Sequence, residues 1–401
     1  MMEPAIFATG LLNLLAAAGA GGHAALLAGK ADRTPLEARF MAVTAALGLL
    51  AAIRAMDGLT GLDLQRLEDL VAAFAPLGVL VLAEGALRRH APRAVKLFTL
   101  GGACGFAGLA LIRPDGSDDA LAALFALYLL AVIGAVGVML VGRSRDGLSP
   151  AENRLIGGLG LVLLCAAPLA LTDFQALAEA PPIRLGALAI LLVVYAAVRL
   201  SDPEADAQGL ARDGVLVAGF GICGGLAAGG LFPGATIDDM VRAASLLAGG
   251  VLAALSIVRL RDGLRAAIDP VRLAAEAAFG GDRERFLGAV LQARPFADLR
   301  LFDADALGDH EPERLAGLFA DRLVLTDADL AAPSPGSAEE AMRALMDTAS
   351  VTHAAAVSLS PLTLAAVNAG GLADMRSWTA RLAVIARIAR ALPSEAPDAA
   401  G

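Results

Sequence analysis

Glu84 is the residue of this chain most open to a chemical reading, because a carboxylate within an apolar segment is costly unless it is paired or lines a polar cavity. Arg88, Arg89 and His90 follow it, and Pro92, Arg93 and Lys96 continue the cluster. A carboxylate beside an imidazole and guanidinium groups can hold a charged ligand or hand on a proton. Glu84, Arg88, Arg89 and His90 therefore form the first candidate functional cluster. The competing reading is structural: Glu84 pairs with Arg88 one turn on and anchors a helix end at the lipid headgroups. The basic residues would then touch anionic lipid.

Asn13, His23 and Tyr128 form a second candidate group, polar side chains carried by otherwise apolar segments. Asn13 and His23 are nearly three helical turns apart and, with Tyr128 or Tyr195, would line an intramembrane polar pocket. Alternatively, each is a lone residue bonded to a neighbouring helix. Asp173, with Phe174 beside it, is expected at an interface.

Other patterns are weaker. Gly219, Gly221 and Gly224 imitate the glycine loop of dinucleotide-binding folds, but they lie inside an apolar run and no strand–helix–strand alternation follows. Gly221, Gly225 and Gly229 are spaced for close helix packing instead. Cys104, Cys165 and Cys223 fall in separate apolar segments with no CxxC neighbour, so neither a disulfide framework nor a metal knuckle is expected. His310 and His353 have no ligand-spaced partners. No Gly-x-Ser-x-Gly surrounds any serine. The acidic run from Asp303 to Glu313, which includes Asp305, Asp309 and Glu311, lacks the terminal Glu of a calcium loop. No catalytic residue, cofactor or metal site is assigned.

The elements that must carry these residues are long and apolar. The chain is 57% hydrophobic, well above soluble proteins. Nine spans are expected, at about 5–28, 36–56, 68–87, 95–113, 119–142, 153–172, 183–201, 213–233 and 240–260, each near the bilayer thickness. With the N-terminus outside, the cytoplasmic side receives fifteen Lys and Arg and the other side five. That bias obeys the positive-inside rule. Acidic residues at Asp115–Asp119 and Asp238–Asp239 fall outside. The opening Met-Met-Glu lacks a basic region before the first apolar run, which reads as a retained span and not a signal peptide. Arg-rich, Lys-poor usage points to a high-GC bacterial genome and hence to an inner membrane. The net charge of -9 excludes a nucleic-acid partner.

The expected division is a transmembrane domain over 1–262, an α+β domain over 263–393 and a disordered tail over 394–401. In the second domain, 268–293 reads as one or two amphipathic helices. Strands are expected at 299–302, 322–325, 354–359 and 362–367, the last two joined at Ser360–Pro361 as a hairpin. Ser337 caps a helix over 337–349 with Glu339 and Glu340 in its first turn, and a closing helix runs from Trp378 to Leu392. The order of elements and the segment from Val351 to Asn368, VTHAAAVSLSPLTLAAVN, resemble the GAF-like domains that follow membrane modules in bacterial sensor proteins. The resemblance covers about a third of the chain. It implies signal relay, with small-ligand binding as a further property of such domains. A sensor kinase would continue past residue 392 into a phosphoacceptor helix and an ATP-binding domain.

The expected protein is thus a sensory or regulatory membrane protein. A shift in its last span would pass through the basic connector 259–269 to the cytoplasmic domain, and from there to a protein partner. A homodimer is an allowed assembly. The alternative is a transporter or channel for an apolar or small solute, with the second domain as its regulator. Few ionisable residues in the spans argue against ion-coupled transport. A membrane-embedded enzyme would need clustered His, Asp, Glu or Cys at one interface, and only Glu84–His90 approaches that.

Overall fold

The computed structural model describes residues 4–30, 33–112, 118–143, 150–174, 184–200, 207–232, 234–266, 282–292, 296, 299–307, 311–330, 333–369 and 375–393. The chain divides into two compact units. The first comprises Met1–Ser144, Arg154–Leu200 and Ala205–Arg261; the second comprises Arg145–Asn153, Ser201–Glu204 and Asp262–Gly401.

The first unit is helical. Its elements are α1 (Pro4–Ala28), α2 (Pro35–Thr60), α3 (Gln65–Ala72), α4 (Ala75–Leu87) and α5 (Arg93–Ile112). They continue with α6 (Asp118–Val141), α7 (Pro150–Leu171), α8 (Gly186–Leu200), α9 (Ala207–Leu231) and α10 (Ile237–Ala266). Ala- and Leu-rich sequence favours helix locally, and in lipid every backbone N–H and C=O must be bonded within its own segment. α2 begins with a full capping box. Thr34 Oγ1 accepts from Glu37 N at 3.1 Å, and Thr34 N donates to Glu37 Oε2 at 2.8 Å.

Small residues set the packing. A Cβ at Gly58 would lie 3.3 Å from Gly10 Cα, and one at Gly48 would lie 3.1 Å from Gly21 N, so α1 and α2 touch backbone to backbone. The glycines of α9 act alike. A Cβ at Gly225 would meet Met240 O at 3.1 Å and one at Gly221 would meet Ala244 O at 3.4 Å, both on α10. These glycines are mid-helix and in contact with a neighbouring helix. The dinucleotide-loop reading therefore ends here.

Large apolar side chains face outward, including Ile112 at 77% exposure, Val141 at 87% and Ile237 at 78%. Outside a bilayer such a surface would be strongly unfavourable. Among the described residues, eight helices are long and apolar enough to cross a membrane. The chain is a multi-pass helical membrane protein. Two of the expected spans differ in form. The one at 68–87 is a helix pair interrupted at Ala73–Phe74, with Pro76 in the first turn of α4, where its missing N–H costs nothing. The one at 183–201 is only 15 residues long, about 22 Å at 1.5 Å per residue. The last span also departs from expectation. α10 continues unbroken to Ala266, through most of the region read as a connector. Residues 267–281, on which much of the expected amphipathic helix falls, lie outside the described residues, as do Asp115 and the tail from 394.

The second unit contains α11 (Arg283–Gln292), β1 (Arg300–Phe302), α12 (Pro312–Leu318) and β2 (Val324–Thr326), then α13 (Ala338–Ala349), β3 (His353–Leu359), β4 (Leu362–Val367) and α14 (Met375–Ala391). Helix α12 falls on the end of the acidic run and was not expected. Its Pro312 start and Leu315 anchor organise residues whose charges suggest only a solvated face. The four strands make one antiparallel sheet in the order β1-β4-β3-β2. Strands β3 and β4 are buried on both faces. Ala355, Val357, Ala365 and Val367 face Phe286 of α11 and Trp378, Leu382 and Ile385 of α14. Ala354, Ala356, Leu364 and Ala366 face Leu315, Phe319, Met342 and Met346 of α12 and α13. Alternation along each strand divides these side chains between two helical layers. The alanines let both layers approach a sheet only four strands wide.

Candidate functional site

Three charged side chains meet inside the helical unit. Arg54, near the end of α2, donates from Nε to Glu68 Oε1 of α3 at 2.8 Å and from Nη1 to Asp173 Oδ2, just after α7. All three are nearly buried, their side chains 12%, 6% and 7% exposed. Asp173 Oδ1 also accepts from Gly186 N at 2.9 Å, and Thr172 Oγ1 accepts from Leu185 N at 2.8 Å, so the end of α7 holds the start of α8. Buried charges persist only when paired and fully hydrogen-bonded, and one guanidinium here fastens α2, α3 and the α7–α8 junction together.

Beneath Arg54 and Asp173 lies a cavity of about 140 Å³. Its walls come from α2, α3, α4, α6, α7 and α8, through residues such as Leu50, Leu82, Phe125, Ala166 and Ile190. Among the described residues, Arg54 and Asp173 are the only charged ones lining it. Within α7, Pro168 lies beside lining residues Ala166 and Ala167 and cannot donate to the carbonyl one turn back, which opens the helix locally.

A second buried cluster joins α8, α9 and α10. Asp213 of α9 accepts from the Tyr195 hydroxyl of α8 and from Arg259 Nη2 of α10 at 3.2 Å, with Arg199 Nε of α8 at 4.0 Å. From Gly186 at the first cluster to Arg199 at the second is about 20 Å of helix. Helix α8 thus carries a wall of the cavity and is tied by a buried ion cluster at each end.

The residues singled out from sequence are placed as follows. Glu84 accepts from Ala91 N at 2.6 Å and pairs with Lys96 Nζ at 2.8 Å, while His90 Nδ1 is 3.9 Å away. Its oxygens are thus turned to the loop after α4 and to α5. Arg88 ends α4 with a left-handed φ of 46° and Arg89 follows in the turn. The pair of Glu84 with Lys96 is half open to solvent on the Lys side, so Glu84→Gln, which keeps an acceptor for Ala91, should cost less than about 1 kcal/mol. Chemical denaturation of the purified chain in detergent measures it.

Asn13 donates to Thr9 O at 2.9 Å within α1, and its Oδ1 and His23 Nδ1 are buried with no hydrogen-bond partner among the described residues. Tyr128, on α6, donates to Thr99 O of α5 at 2.6 Å and packs among Phe98, Phe106 and Phe125. Asn13 and His23 lie on α1, which packs on α2 and α8, whereas Tyr128 lies between α6 and α5. In the second unit, His353 is fully buried in β3, and burial pushes its pKa down to about 4. His310 lies outside the described residues. Among the described residues no group of three or more His, Cys, Asp or Glu is placed to hold a metal ion.

Sequence reasoning missed the Arg54–Glu68–Asp173 network. Arg54 read as a loop charge and Asp173 as an interfacial one, and Glu68 drew no attention. The one available signal was an arginine near the end of an otherwise apolar stretch, and its partner 119 residues away has no sequence signature. Comparison with protein-family models, with curated proteins and with solved structures finds no match.

Proposed function

We propose that this protein is a sensory or regulatory protein of a bacterial inner membrane, in which the helical unit detects a membrane or extracytoplasmic signal. The second unit, read as a cytoplasmic GAF-like domain, passes that signal to a protein partner. The observation that carries the proposal is the double anchoring of α8. One end lines the cavity and donates from Gly186 N to Asp173; the other, through Tyr195 and Asp213, holds Arg259 of α10, the helix that leads by chain into the second unit. A change in cavity occupancy that shifts α8 would bias α10, the coupling of two states on which such a relay depends. The fifteen-to-five distribution of Lys and Arg supports a topology of nine crossings with α8 counted, the N-terminus outside and the second unit inside.

Hydrogen exchange on the full chain in lipid nanodiscs tests the relay. Filling the cavity with Ala166→Phe should change exchange in α11 and α14 several-fold. Adding Tyr195→Phe, which removes the bond to Asp213, should return it most of the way. Exchange in the second unit that ignores both substitutions sinks the relay. A partner co-purifying in stoichiometric amount supports it, and the mass of the complex reports whether the chain is a homodimer.

The cavity itself favours a second reading, a carrier for an apolar or small solute regulated by the second unit. Solute accumulation by sealed vesicles that depends on an open cavity would select it.

A further inference from the structure

We infer that the cavity beneath Arg54 and Asp173 is a binding site for a neutral, ring-sized lipophilic molecule bearing one hydroxyl or carbonyl oxygen. Size comes first: a volume of about 140 Å³ is close to that of apolar protein cavities that take up benzene. The walls supply apolar contact from aliphatic and small side chains and from Phe125. Charge comes second. The wall carries one guanidinium and one carboxylate, bonded through Nη1 and Oδ2, and with Glu68 on Nε the three groups hold one net negative charge. An anionic head would be repelled there, and a cationic head would leave water for carboxylates already engaged by Arg54 and Gly186 N. Hydrogen bonding comes third. Nε and Nη1 of Arg54 are taken by Glu68 and Asp173, and Nη2 has no partner among the described residues. Three of its five N–H groups, two of them on Nη2, therefore remain on a residue that lines an apolar chamber, the arrangement that fixes the orientation of a small ligand. A neutral oxygen acceptor completes it.

The inference takes the cavity as the functional site but does not require the relay. Photolabelling reads occupancy, whereas hydrogen exchange in the second unit reads coupling, so either can fail alone. The full chain in phosphatidylcholine nanodiscs is irradiated with para-azidobenzyl alcohol, and adducts are located by peptide mass spectrometry. Expected are adducts on cavity-lining peptides of α2, α7 and α8 that saturate with probe and are competed by excess benzyl alcohol. Ala166→Phe should reduce this saturable labelling at least ten-fold. Azidobenzene, which lacks the oxygen, should label the site about five-fold less at equal concentration, the loss of one hydrogen bond. If Ala166→Phe does not give monodisperse protein, Ala167→Leu fills the same space and carries the same expectation. Labelling that rises linearly with probe, spreads over exposed residues such as Ile112 and Val141 and ignores both substitutions overturns the site, and lipid chains then fill the cavity. Equal labelling by the two probes overturns the oxygen-bearing ligand.

Discussion

Arg54→Met should cost the helical unit about 3–5 kcal/mol, because it strands two carboxylates where water does not reach. Glu68 and Asp173 are each bonded to Arg54 and almost fully buried, so its loss removes the cation they share. Unfolding of the purified chain in mixed micelles, followed by helical circular dichroism, gives the number. The triple variant Arg54→Met, Glu68→Gln, Asp173→Asn should recover most of the loss, since neutral side chains owe no charge desolvation. A single variant within about 1 kcal/mol of the parent would mean that the carboxylates are hydrated or protonated, and the network would not close the cavity. Non-additivity between single and triple variants is the mark of residues acting as one unit.

The second unit should lose stability on mild acidification, and His353 is the reason. Its side chain is fully buried, with Nδ1 at 2.9 Å from Thr352 Oγ1 and Nε2 making no close hydrogen bond among the described residues. Burial holds its pKa at about 4 against an ordinary 6.5, opposed in part by Asp329 and a backbone contact at Met375. Between those two pH values the unfolded chain binds a proton that the folded chain refuses, so stability rises with pH. It is fully present above about 6.5, falls by roughly 2 kcal/mol by pH 5 and stops falling near pH 4, where both states are protonated. Trp378 is the single tryptophan of the chain and packs in this unit against Phe296. Its fluorescence therefore reports unfolding of the second unit within the intact protein. His353→Gln should remove the pH dependence between 7.5 and 5. If the parent and the variant show the same slope, the buried histidine is not its source.

Much of the local structure was legible because it depends on neighbours in sequence. The capping box of α2 is contained in Thr34, Pro35 and Glu37, and Ser337 caps α13 by accepting from Glu340 N. The β3–β4 hairpin follows from two short apolar runs flanking Ser360–Pro361. Helix α12 was hidden because the charges around it, Glu311, Glu313 and Arg314, read as a solvated loop; its hold is Leu315, buried against a sheet that sequence does not display. The break between α3 and α4 was hidden too. Hydropathy runs smoothly through Ala73–Phe74 and reports only that the segment is apolar, not that its helix is continuous. Glu84 shows the same limit at a candidate site. Sequence offered Arg88 as partner by helical spacing, but the chain turns at Arg88, and the oxygen meets Lys96 on the next helix instead.

Hydrophobicity and period, which are properties of consecutive residues, determined by themselves that this chain enters a membrane, roughly where its helices run and where a mixed helix-and-sheet region begins. Tertiary structure alone decided which charges meet. Arg54 and Asp173, and likewise Tyr195, Asp213 and Arg259, lie far apart in the chain and come together only when helices pack. Whether a buried charge is a burden or a clasp depends on the partner that packing delivers, and no window of sequence contains that partner.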